Sequence, residues 1–242
     1  MKYMGSKRLL AKHILPIILK DRQEGQWYVE PFCGGCNTLS EVTGNRIGAD
    51  SHRFLIEMWD AVSVRDWLPP EEVTEVTYHV LKNLSKGGLY GPECNATIGY
   101  VGFTHTFGSQ WMRGWAKNNR GDNYSKQAYN SALKQFPKLR GVIFRHSHYA
   151  DLRIPENSII YCDPPYAKTE KYRNMLFNHN HFWEQAHNWV FDGHRVFVSE
   201  YNAPSDWVCV WSKKVNCNVN NKTTEPSKPI EKLFVHRSQY NG

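Results

Sequence analysis

Ser158-Ile159-Ile160-Tyr161-Cys162 is a short apolar run, and Asp163-Pro164-Pro165-Tyr166 follows it without a break. The run has the length and β-branched content of a buried strand, and the two prolines end it abruptly. An acid is thereby presented at the carboxyl end of a strand, where open α/β sheets bind ligands. Each proline fixes its own φ and restricts the residue before it, so the turn is stiff. Neither proline has an N–H, and with the Asp163 carboxylate the turn is rich in acceptors. Tyr166 adds an aromatic face. A planar ligand carrying an amino group suits such a turn. An isolated Asp-Pro-Pro is more often a strand terminator with an exposed acid, so the rest of the chain has to decide.

Outward from this stretch, the pattern is α/β. Gly141–Arg145, Arg195–Ser199, Trp207–Trp211 and Leu233–Val235 read as strands, and Phe182–Phe191 as a helix. Lys168–Asn180 reads as a polar loop, and Lys213–Lys228 as a polar hairpin or loop. Near the start, an apolar pattern at Leu10, Ile14, Ile17 and Ile18 predicts a helix with Ser6 as N-cap, which Pro16 kinks or ends. Lys7 in its first turn opposes the helix dipole and is better explained by a ligand. Trp27–Phe32 reads as a strand, Cys33-Gly34-Gly35-Cys36-Asn37 as a glycine turn, and a helix follows to about Val42. A second strand, Arg46–Asp50, ends in an acid placed to accept from a ribose diol. No G-x-G-x-x-G phosphate fingerprint is present. Glycine turn plus strand-end acid without that fingerprint points to an adenosine-type cofactor lacking a pyrophosphate, and S-adenosylmethionine fits. Cys33 and Cys36 also admit redox or half-zinc-site readings, but no second pair follows at a suitable spacing, and the favoured reading is a turn with small residues. His146 with His148, and His179 with His181, raise a metal question that strand-end or loop histidines answer more simply.

From Ser51 the character changes. Phe54, Ile56, Trp59 and Val62 predict one helix, and Val73, Val76, Val80, Leu81 and Leu84 an amphipathic one. Lys86–Arg120 is glycine-rich and aromatic. Residues 51–140 are expected to be a helical and loop insertion, and residues 1–50 with 141–242 the catalytic domain. The net charge is +7, and residues 111–140 hold seven basic side chains against the single acid Asp122. Trp111, Trp115, Tyr124 and Tyr129 interleave with them, a composition that follows a phosphate backbone and meets bases, although charge runs are commonly solvated faces. A chain of 242 residues can bury a real core, six irregularly spaced cysteines are too few for a disulfide scaffold, and no apolar run reaches membrane-spanning length. A cytoplasmic protein with neither membrane nor obligate protein partner is expected.

Three motifs in order, Lys2-Tyr3-Met4-Gly5-Ser6-Lys7, Val29-Glu30-Pro31-Phe32-Cys33-Gly34-Gly35 and Asp163-Pro164-Pro165-Tyr166, resemble the Dam-type DNA adenine-N6 methyltransferases. The resemblance is weakest in 51–140 and after Ser212. It implies a Rossmann-like methyltransferase sheet with helices on both faces, S-adenosylmethionine as cofactor and double-stranded DNA as partner. Tyr3, Lys7, Glu30, Phe32, Gly34, Gly35, Asp50 and Asp163 would line the cofactor pocket. Asp163, Pro164, Pro165 and Tyr166 would form the catalytic turn. Lys2 matches a lysine near the recognition site, and Arg113, Lys117, Arg120 and Lys126 of the insertion would meet DNA. The family pattern F-x-G-x-G is broken at Cys36, and the arginine- and asparagine-rich loop that reads GATC is missing, so that specificity is not carried over. RNA adenine or cytosine-N4 methylation, and a catalytically silent nucleic-acid-binding module, are the alternatives.

Overall fold

A computed structural model describes residues 1–117, 123–166, 177–214 and 230–240. The element order is α1 (Ala11–Ile18), β1 (Tyr28–Glu30), β2 (Arg46–Asp50), α2 (Arg53–Arg65), α3 (Glu75–Leu84), α4 (Pro92–Thr104), α5 (Tyr124–Gln135), β3 (Ile143–His146), β4 (Ile159–Cys162), α6 (His179–Phe191), β5 (Arg195–Glu200), β6 (Trp207–Lys214) and β7 (Ile230–His236). This is the expected α/β fold, with a seven-stranded mixed sheet. Among the described residues, no helix is long and apolar enough to cross a membrane.

The chain packs as two compact units, residues 1–12 with 31–152, and residues 13–30 with 153–242. In the first, β2 and β3 pair in parallel, Ile47 opposite Ile143 and Asp50 opposite His146. Helix α2 lies on them through Trp59, whose ring stacks on Phe144, and through Ser63, whose hydroxyl donates to the Val142 carbonyl at 2.7 Å. The buried Arg46 guanidinium donates to the carbonyls of Leu39, Lys138 and Arg140. Residues 51–140, expected as an insertion, therefore share a core with β2 and β3, because α2 has no other sheet face to bury its apolar stripe against.

In the second unit the strand order is β1-β4-β5-β7-β6. β1, β4 and β5 run parallel, whereas β7 is antiparallel to both β5 and β6. All four residues of β4 are buried, as a continuous apolar run in a parallel sheet must be.

Several boundaries differ from expectation. Ser6 caps no helix; α1 begins at Ala11, and the Ser6 hydroxyl accepts from the Arg8 N–H at 3.2 Å. Pro16 sits inside α1, which continues to Ile18. After the glycine turn, only a single tight turn, Leu39–Glu41, forms. Val76 and Val80 face outward, and α3 packs through Tyr78 and Leu81. The glycine-rich stretch hides α4, whose buried residues surround it and leave no polar face to give it a helical period. Of the expected loop Lys168–Asn180, the last two residues belong to α6, and of the expected hairpin or loop Lys213–Lys228, the first two belong to β6; residues 168–176 and 215–228 lie outside the described residues.

Gly99 is what lets α4 approach α2. A Cβ there would stand 2.1 Å from the Phe54 carbonyl oxygen and 3.0 Å from Met58 Cβ. On an open helix, glycine to alanine is stabilising by about 1 kcal/mol. Here the backbone contact reverses the sign, and Gly99→Ala is expected to destabilise by about 1–3 kcal/mol in urea denaturation. A gain in stability would show that the two helices separate freely.

Candidate active site

In the first unit, the chain leaves β1 through a glycine turn that returns on itself. Gly34 has φ +44° and Cys36 φ +51°, both left-handed. The Cys36 N–H donates to the Cys33 carbonyl at 2.7 Å, and the Cys33 N–H to the Ala49 carbonyl of β2 at 2.8 Å. Tyr3 lies directly on the turn. A Cβ at Gly34 would come within 2.7 Å of the Tyr3 ring, and one at Gly35 within 2.6 Å of Tyr3 Cβ. Glycine is required at both positions by this contact.

Asp50, at the end of β2, accepts from the same turn: Gly34 N–H reaches its Oδ2 at 3.1 Å, and His52 N–H its Oδ1 at 2.9 Å. Burial pushes the Asp50 carboxyl pKa up, and these N–H bonds pull against it. Burial holds the His52 imidazole neutral, lowering its pKa to about 4. Its Nδ1 accepts from the Leu55 N–H at 3.3 Å and caps α2. The expected cofactor residues Tyr3, Gly34, Gly35 and Asp50 are thus brought together. Phe32 packs on Tyr149, with ring centroids 5.1 Å apart. Lys7 is buried ahead of α1, with its Nζ 3.4 Å from the Gly5 carbonyl. A glycine cradle roofed by an aromatic ring, beside a carboxylate with lone-pair capacity beyond the N–H bonds it accepts from Gly34, Ser51 and His52, fits the adenosine and ribose of S-adenosylmethionine.

In the second unit, Asp163-Pro164-Pro165-Tyr166 follows the buried β4. The Tyr166 hydroxyl donates to Glu231 Oε2 on β7 at 2.7 Å, and its ring meets Tyr201 edge-on at 4.7 Å. Glu30 is buried and accepts from the Tyr28 hydroxyl at 2.8 Å. Burial, and then the charge of Asp163, push the Tyr161 and Tyr166 phenols and the Cys162 thiol well up. These groups stay protonated, and the Tyr161 hydroxyl shares a hydrogen bond with that of Ser199 at 2.8 Å. Glu231 is the residue that sequence reading missed. It lies ahead of the expected strand Leu233–Val235, in the part of β7 that the sequence did not show, and its partner is 65 positions away.

The basic stretch divides. Lys126 is exposed on α5. Lys2 donates to Gln127 Oε1 at 3.0 Å and stands over the Tyr124 ring, joining the same helix. Arg113 donates to Gln110 Oε1 at 2.6 Å. Lys117, Lys138 and Arg140 face Glu75, Glu41 and Asp66, so part of the run's charge is met locally. Trp111 packs on Phe54, and Trp115 on His105; both are half-buried. Arg120 lies outside the described residues. Cys33 and Cys36 are buried.

His146 Nε2 lies 3.0 Å from the Ser51 carbonyl, and His148 Nδ1 accepts from the Ala150 N–H. His187, Asp206 and His236 do converge, with Asp206 Oδ2 at 2.5 Å and 3.3 Å from the two imidazole Nε2 atoms. The Trp207 indole N–H points at His187 Nε2, and the Ser238 N–H at His236 Nδ1. The group closes as a hydrogen-bond network.

The Asp50 carboxylate sets a pH test. Its folded-state pKa is raised, so its contribution to stability is fully present below the unfolded pKa and is lost as pH rises through the folded one. The stability of wild type minus that of Asp50→Asn should fall as pH is raised from the ordinary carboxylate value of 3.8 toward neutrality. Urea titrations of both proteins across that range measure it, and a difference that stays flat or grows would refute the buried-acid assignment.

The family model for the D12 class N6 adenine-specific DNA methyltransferase matches residues 3–88 and 105–236. The segment between them contains α4.

Proposed function

Because the chain belongs to the D12 class N6 adenine-specific DNA methyltransferase family, we propose that Asp163, Pro164 and Tyr166 receive an adenine flipped out of duplex DNA. Its chemistry is that of the family: methyl transfer from S-adenosylmethionine to the N6 amine of adenine in DNA, which decides among the alternatives raised by the motifs. The observation that carries the assignment of residues is the position of Asp163. It stands at the carboxyl end of a fully buried parallel strand, followed by two prolines and a phenol fixed by Glu231.

The exocyclic amine of adenine is a poor nucleophile because its lone pair is delocalised into the ring. The Asp163 carboxylate and the Pro164 carbonyl each accept one of its N–H bonds and turn the lone pair out of conjugation. The bound cofactor supplies a sulfonium methyl group that already carries its own leaving group. No covalent intermediate on the chain is needed. Asp163 is also the nearest group to take the proton that the methylated amine releases. Position is the main contribution, worth up to roughly 7–11 kcal/mol when attack geometry is well held. Tyr166 walls the base and offsets part of the about a few kcal/mol lost on unstacking. Asp50 accepts from the ribose of the cofactor, and Tyr3, Phe32, Gly34 and Gly35 enclose its adenosine, with Lys7 and Glu30 as the polar flank. Lys2, Arg113, Lys117, Arg120 and Lys126 hold the phosphates. The protein works in the cytoplasm, without an obligate protein partner.

Asp163→Ala is expected to lower the methylation rate by at least about 10²-fold. Its melting temperature should change little, because Asp163 stands half-buried at the end of β4, outside the apolar run. Tritiated methyl transfer to unmethylated plasmid, with nucleoside analysis, reads the rate; wild-type turnover would sink the assignment. Lys126→Ala should weaken DNA binding and reduce the slope of log K against log salt by about one. An unchanged slope would return Lys126 to the solvated face.

A further inference from the structure

The glycine turn presents three consecutive carbonyls, and two side chains from distant helices meet them. The Trp59 indole of α2 donates to the Gly34 carbonyl at 2.8 Å. Gln135, the last residue of α5, donates through Nε2 to the Gly35 carbonyl at 2.8 Å and the Cys36 carbonyl at 3.1 Å. Its Oε1 accepts from the Met1 nitrogen. Both side chains are buried, Trp59 at 0% and Gln135 at 7% exposure. The turn they hold contains Cys36 at φ +51°, wholly buried. A residue with a Cβ is disfavoured in that region by contact with its own backbone, and only surrounding structure keeps it there. Ser40 adds its N–H to the Cys36 carbonyl at 3.0 Å. Once Gln135 fixes the carbonyls on both sides of the Gly35–Cys36 link, the peptide planes cannot rotate to relieve Cys36 without losing both bonds.

We propose that Gln135 and Trp59 are positioning residues for the cofactor turn, and that Gln135 holds Cys36 in the left-handed conformation which the turn requires. Neither touches the cofactor; both fix the backbone against which Tyr3 and Asp50 are set. The inference rests on the reading of this turn as the cofactor wall. It also ties α5, the helix that carries Lys126, to that wall through a single side chain.

The test is a double-mutant cycle on the full chain: wild type, Gln135→Met, Cys36→Gly, and the pair. The apo proteins are unfolded in urea, and S-adenosylmethionine binding is measured by calorimetry. Gln135→Met should weaken cofactor binding about tenfold, the equivalent of one or two hydrogen bonds. In the Cys36→Gly background, where glycine adopts the same φ freely, the loss should shrink to less than about threefold. The loss of urea stability should shrink in parallel. A merely structural cavity at Gln135 would not be rescued by a glycine at Cys36, so equal losses in both backgrounds would overturn the proposal. If Gln135→Met folds only when paired with Cys36→Gly, that rescue is itself the predicted coupling. If neither folds, Trp59→Phe keeps an aromatic side chain in the core and removes the indole N–H; a loss of about fivefold supports the clamp, and unchanged affinity refutes it. Asp50→Ala, measured alongside, separates the two levels of the argument. When it abolishes cofactor binding but Gln135→Met does not weaken it, the turn is the cofactor wall and the clamp is wrong. When neither variant changes binding, the site reading itself has failed.

Discussion

A buried backbone carbonyl needs a donor, and the glycine turn bonds the Cys33 carbonyl from within itself, leaving the next three to donors from outside. The first unit is arranged around that constraint. Gly34, Gly35 and Cys36 turn their carbonyls inward, where Trp59 and Gln135 meet them. With the carbonyls committed on one side, the Gly34 N–H is available to Asp50, and the glycine faces lie open to the ring of Tyr3. Each of these contacts makes sense only if the turn keeps one conformation. The same demand places Trp59 midway along α2 and Gln135 at the last residue of α5. One brings an indole, the other an amide, to a loop with no regular secondary structure to satisfy it.

The second unit solves a different problem, the concentration of acids beside an apolar sheet. Glu30 and Glu231 are both buried, and Asp163 stands close enough to burden Tyr161, Cys162 and Tyr166. Unpaired buried carboxylates are costly. Phenols offset that cost without adding positive charge. Tyr28 donates to Glu30 and Tyr166 to Glu231, and burial first, then the charges nearby, keep both phenols protonated.

The sequence was legible where one local rule governed. Arg46–Asp50 formed the expected strand, residue for residue, and Arg195–Ser199 was lengthened only by Glu200, because buried parallel strands announce themselves as apolar runs. The glycine turn and the strand-end acid were legible because backbone approach and carboxylate placement demand particular residue types. Helix α4 was not legible: Gly99 and Gly102 lower helix propensity, and burial on every side erases the period. Val76 and Val80 looked like a core stripe, yet Tyr78 and Leu81 take the buried face. Ser6 had the chemistry of an N-cap, but the chain spends residues 7–10 in turns before α1 begins. Gln135 and Glu231 were invisible for a common reason. Each matters through bonds to residues far off in the sequence, and nothing in the neighbouring sequence records them.

Cys36 shows how a departure from a family pattern can be absorbed. A motif position that favours glycine does so because glycine reaches left-handed φ without penalty. Substituting cysteine there costs conformational energy, roughly 1–2 kcal/mol, unless the surroundings over-determine the backbone. In this chain the surroundings do: the cysteine carbonyl has two donors, Ser40 N–H and Gln135 Nε2, and its N–H is tied to Cys33. The strained residue and the helix-end glutamine therefore have to be understood together. A chain with glycine at this position has less need of the amide on α5, and a chain with the amide can tolerate a side chain in the turn.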